Sequence, residues 1–213
     1  MALDALNTYK SAHARALKFF TEAKLGPKFK DYLRAAVVFE AAAIDVFFKI
    51  KIINHCDKKK YRLTIEAQKW IYEAIAKENF GSQCKDLSDE KVELIEAMAS
   101  SGKRSLRNYV LDTLETKNFQ SADNIEYALK MIGYKPIEIW SKLNHSRGKK
   151  GRRINTKIRL ENLFKRRHQI VHQADIFIRG RRSVGKEDSI ALDTVKDWLD
   201  VSEAAVTKLN KLI

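Results

Sequence analysis

Proline and glycine are scarce in this 213-residue chain, with 2 and 8 residues respectively. A β-sandwich or barrel needs turn residues roughly every 8–12 positions, so an all-β architecture is excluded. Cysteine is scarce too. Cys56 and Cys84 lie far apart, which argues for reduced thiols in a cytoplasmic protein. Long apolar runs are missing as well. The most apolar stretch, Ala35 to Ile53, is interrupted by Glu40, Asp45, Lys49 and Lys51, short of the ~18–20 residues that span a bilayer. Asp4 stands where a signal peptide would carry its basic start, so the N-terminus does not read as one. What remains, 45% hydrophobic and 32% charged, suits one folded domain or a domain with a helical arm.

Acidic residues are missing locally. Between His145 and Lys186 fourteen Lys/Arg face only Glu161 and Asp175, so this segment holds +12 of the net +14. An even spread would serve solubility alone; this concentration favours a polyanionic partner.

Apolar spacing at i, i+3 and i+4 predicts helices over most of the chain. They run Leu3 to Lys24, Lys28 to His55, Leu63 to Phe80, and Ser88 to about Asn118 with a break at Ser100-Ser101-Gly102. Shorter helices follow at Asp123 to Ile132 and Pro136 to Leu143, then Asn155 to Gln173, and a last one capped by Asp193 runs to Leu212. His145 to Arg153 and Arg179 to Lys186 read as basic loops, and Ile176 to Ile178 as a short extended segment. Gly26-Pro27 divides an N-terminal helix (1–26) from a larger helical domain (27–213), and the two can form one continuous domain. The fold class is all-α.

Two near-motifs fail on chemistry. Gly180 to Lys186 has phosphate-loop spacing, but Glu187 occupies the place of the Ser or Thr that ligates magnesium. His168 and His172 are one turn apart like two metal ligands, yet Gln169 replaces a zinc protease's Glu and two arginines precede the pair. No metal and no cofactor are expected.

The run Arg166-Arg-His-Gln-Ile-Val-His-Gln-Ala-Asp175 carries the strongest signal. Arg167 and His172 enclose four residues, with Arg166 as a five-residue alternative, and Ile170 and Val171 lead into the His. This resembles the Arg-x4–6-His signature of HEPN domains, and specifically the RiboL-PSP type, close to R-x-x-I-V-H-x-A-D. Leu33 to Phe48, with Arg34 near its start and Asp45 before aromatics, resembles that type's early helix. Ser189 to Asp200 resembles its closing helix. The resemblance covers roughly residues 30 to 210; Leu3 to Lys24 has no counterpart in it. His168 departs from the Asn or Asp that often follows the Arg, and Ala174 from one toxin subgroup's Tyr.

The resemblance implies an antiparallel HEPN-like helical bundle with an extra N-terminal helix and basic loops. It implies a homodimeric, metal-independent endoribonuclease of a toxin or phage-defence system, with an antitoxin or defence protein as a further partner. Arg167 and His172 are the catalytic candidates, supported by Asp45, His168, Asp175 and Arg166. RNA cleavage by its own 2′-hydroxyl needs a proton-moving group, which an imidazole supplies, and a cation for the phosphorane, which an arginine fork supplies. Lys149, Lys150, Arg152, Arg153, Arg179, Arg181 and Arg182 are the expected RNA-steering residues. A carboxylate on an apolar helix is costly unless paired, so Asp45 is expected to orient Arg167 or His172, with Glu40 as its rival. One difficulty is geometric: residues five apart on a helix differ by about 140°. The alternatives from other classes are a non-catalytic RNA-binding or adaptor module and a DNA-binding helical protein.

Overall fold

The computed structural model describes residues 4–26, 28–56, 111, 114–144, 155–172 and 190–213. Six helices stand out among them: α1 (Ala5–Ala23), α2 (Phe29–Cys56), α3 (Ala122–Met131), α4 (Pro136–Leu143), α5 (Thr156–His172) and α6 (Leu192–Leu212). No strand occurs among the described residues, which form an all-α architecture. The helices expected within Leu63 to Phe80 and across most of Ser88 to Asn118, the extended triplet, and both basic loops lie outside the described residues.

Local chemistry sets most helix ends. Asp4 caps α1 by accepting from the Asn7 amide at 3.0 Å, and Ser121 caps α3 through Asn124 at 3.1 Å. Gly133, at φ 85°, ends α3 in a conformation that favours glycine. The amides of Gly133 and Tyr134 then satisfy the carbonyls of Lys130 and Leu129. Pro136 opens α4, where its missing N–H costs nothing. One cap expectation is corrected: Ala191 occupies the N-cap of α6, and Asp193 sits inside the first turn, where it favours the helix dipole.

α2 is the central element and packs against α1, α5 and α6, with lighter contact to α3. Leu33, Val37, Ile44, Phe47 and Phe48 are fully or almost fully buried, each contributing roughly 1.5–3 kcal/mol. α1 runs antiparallel to α2, since Tyr9 meets Phe47 while Phe19 stacks on Phe39 and Tyr32. Residues of α1 (Ala5, Tyr9, Ala16, Phe20 and Ala23) belong to the same hydrophobic cluster as those of α2, α5 and α6.

Two ties place α5 against its neighbours. The Thr156 amide donates to Asn144 Oδ1 at 2.9 Å, which brings the end of α4 to the start of α5. Glu126 of α3 accepts from Trp140 Nε1 of α4 and from Lys157 Nζ of α5. The Lys157 hydrogen bond holds the Glu126 carboxyl below its ordinary range.

Candidate active site

α5 turns Leu160, Leu163 and Phe164 into the core, which fixes the rotation of the residues that follow. Arg166 falls on the buried side at 6% exposure, and its Nη1 donates to Gln169 Oε1 at 3.3 Å. Arg167 is half-buried, and His168 and His172 are exposed. The structure therefore separates the two arginines that the sequence leaves as alternatives: Arg167 reaches His172, and Arg166 packs inward.

Arg167 Nη1 lies 3.3 Å from His172 Nε2. The long arginine bends across the 140° that separates the two positions, so both groups meet within one chain. A guanidinium only donates, so Nε2 is the accepting nitrogen of this contact. His168 adds a second imidazole, its ring centroid 4.6 Å from that of His172. The pair sits at the last residue of α5, where backbone carbonyls attract cationic groups.

Asp45 does not take the expected role. Its Oδ1 accepts from the Phe119 amide at 2.6 Å and its Oδ2 pairs with Lys49 at 3.0 Å. The carboxylate holds the chain leading into α3, and neither described partner belongs to α5. Arg34 pairs with Asp31 at 2.9 Å on its own helix. The rival Glu40 is equally engaged elsewhere: it is fully buried, accepts from the Tyr9 hydroxyl at 2.7 Å, and lies 2.6 Å from His13 Nδ1. His13 Nε2 faces Glu203 of α6 at 3.8 Å. Sequence reasoning missed this cluster because Tyr9 and Ala16 make the face of α1 read as core. Its one signal is His13, four residues beyond Tyr9 on that same face.

The basic segment is less uniform than its composition suggests. Lys157 is paired with Glu126, Arg159 with Asp197 at 2.8 Å, and Lys165 with Glu161 at 2.9 Å. Two of these acids lie outside the segment and fold back onto it. Residues Lys149, Lys150, Arg152, Arg153, Asp175, Arg179, Arg181 and Arg182 lie outside the described residues. Among the described residues, α5 runs from Thr156 to His172, roughly 24 Å at about 1.5 Å per residue. In the chain the two loops flank α5, one before Thr156 and one after His172.

No group of three His, Cys, Asp or Glu able to hold a metal occurs among the described residues. No described helix is long and apolar enough to cross a membrane. Comparison with protein-family models, curated proteins and solved structures gives no match.

Proposed function

We propose that this protein is a metal-independent endoribonuclease of the HEPN type, acting as a homodimer in a toxin or phage-defence setting. The observation that carries the reading is the 3.3 Å contact between Arg167 Nη1 and His172 Nε2 at the exposed end of α5. The resemblance of residues 166–175 to the family signature supplies the reaction class, and the all-helical bundle accommodates it. His172 takes the 2′-hydroxyl proton as general base; the 2′-oxygen bonds to phosphorus as the P–O5′ bond breaks, and water protonates the departing 5′-oxygen. Arg167 stabilises the charge that develops on the phosphorane, a role its fork fills without ever losing its own proton. Asp45 is assigned a positioning role, holding the segment before α3.

Incubating the purified protein with labelled single-stranded RNA in EDTA tests the proposal. Cleavage is expected to persist and to leave a 2′,3′-cyclic phosphate on the upstream fragment. A requirement for magnesium, or 3′-hydroxyl ends, sinks the mechanism. Binding of RNA without any cleavage would favour the adaptor reading.

The basic loops are assigned to steering RNA. Neutralising Lys149, Lys150, Arg152 and Arg153 together is expected to weaken RNA binding and to lower the slope of log affinity against log salt. Each lost phosphate contact lowers it by about 0.7 for single strands. The rate at saturating RNA is expected to fall much less, because charges that only steer RNA do not act on the scissile phosphate. An unchanged salt slope in the quadruple variant would remove the steering role.

A further inference from the structure

His168 belongs to two features at once. Its ring lies 4.6 Å from that of His172, and it lines a cavity of about 250 Å³ between α5 and the start of α3. The other walls include Gln120, Asp123, Glu161, Phe164 and Lys165. We propose that this cavity binds the guanine base of the nucleotide beside the scissile phosphate, and so directs cleavage to guanine. The inference rests on the ribonuclease reading above.

Size is the first argument. The cavity is smaller than the roughly 300–1,000 Å³ of sites that enclose a drug-sized ligand, so it suits a single planar base. Its surfaces are the second. His168, exposed at this wall, offers an aromatic ring on which an unstacked RNA base can settle, above the buried Phe164. This gives His168 a use in place of the Asn or Asp common at that position.

The acids decide which base. A carboxylate beside an RNA-cleaving site repels the phosphates, and two line this cavity. Glu161 is already paired with Lys165 at 2.9 Å, which leaves Asp123 to receive an incoming base. Guanine presents two adjacent donors, N1–H and the 2-amino group, to the two oxygens of one carboxylate. Adenine and cytosine set a ring acceptor beside their amino group, and uracil flanks its one N–H with carbonyls. A carboxylate therefore favours guanine over all three. The wall is also held in advance, because Asp45 binds the Phe119 amide immediately before Gln120 and Ser121 caps α3. A pre-set wall loses little freedom on binding.

Titrating the full-length protein with GMP, AMP, CMP and UMP by calorimetry, while mapping cuts on an RNA containing every dinucleotide step, tests the inference. GMP is expected to bind at least about fivefold tighter than the other three, with cuts next to guanine. Asp123→Asn, which turns one acceptor into a donor, is expected to level both preferences while far-UV dichroism and melting temperature stay close to wild type. Equal binding of all four nucleotides, or a guanine preference that survives in Asp123→Asn, overturns the pocket. If wild type cleaves without base preference, the pocket fails and the ribonuclease reading stands. If wild type does not cleave but binds GMP through Asp123, the ribonuclease reading fails and takes the cleavage-directing role with it, leaving the cavity a guanine-binding site only.

Discussion

Replacing His172 with alanine is expected to lower RNA cleavage by about 10²–10⁴-fold or more, the scale of a positioned general base. RNA affinity is expected to change less than about threefold, because a group that acts on a proton in the transition state adds little to ground-state binding. The fold should tolerate the change. His172 is exposed at the end of α5, and its described contacts are with Arg167 and His168. Arg167→Ala is expected to inactivate as well, and Arg167→Lys to rescue poorly, since an ammonium lacks the planar fork that reaches two phosphoryl oxygens. Arg166→Ala offers the contrast. That side chain is buried and bonded to Gln169, so its loss should appear first as lowered stability. Full cleavage in His172→Ala or Arg167→Ala, measured on single-stranded RNA beside a melting curve, would make the pair an ordinary surface contact.

Much of the helical layout was legible because apolar periodicity is a local property. The expected bounds of α4 match the structure, and those of α1, α2, α3 and α5 fall within two residues of it. The start of α6 was misread at the cap because Asp193 is a good N-cap residue by type. The chain nevertheless turns helical two residues earlier than a cap at Asp193 would allow, and the acid serves the dipole from the first turn. The contact between Arg167 and His172 was legible as a motif but not as geometry, since helix angles alone hold them apart. Asp45 and Glu40 were recognised as carboxylates that need partners on an apolar helix. Lys49, one turn on from Asp45, is a local partner, but Phe119 at 74 residues' separation and Tyr9 and His13 at about 30 are fixed by tertiary packing that no sequence window contains. The same limit applies to the charge count, where Glu126 and Asp197 return from distant positions to neutralise Lys157 and Arg159.

The function proposed for α5 depends on a bundle whose centre holds charge, because α2 carries Glu40 at 0% exposure. A buried carboxylate is tolerable only with partners that share its charge and fill its lone pairs. Tyr9 and His13 of α1 supply both, and Glu203 of α6 approaches the far side of the imidazole. The cluster therefore joins three helices, and it ties the N-terminal helix to the element on which α5 packs. Burial and then Glu40 push the Tyr9 hydroxyl far above its ordinary range, which keeps it a donor.

Removing one member of this cluster is expected to cost far more than removing all of it. His13→Ala leaves Glu40 buried with Tyr9 as its remaining partner, and breaking a buried pair in this way costs about 3–5 kcal/mol. Replacing Tyr9, His13 and Glu40 together by Phe, Leu and Met should recover most of that loss, since no uncompensated charge remains. The pH dependence has a definite sign. Burial pulls the His13 imidazolium down, but the hydrogen bond and charge of Glu40, with the fields of Glu203 and Asp200, outweigh it and raise the pKa above its ordinary value. A group raised in the folded state adds stability that is complete below its unfolded pKa of about 6.5 and is lost as pH rises through the folded value. Wild-type stability should therefore fall relative to the triple apolar variant as pH increases from about 6 to 9. Urea unfolding of both proteins and of His13→Ala across that range measures each quantity. A loss below about 1 kcal/mol in His13→Ala, the scale of an ordinary exposed ion pair, or a wild-type curve parallel to that of the triple variant, would show that this cluster does not lock α1 to α2.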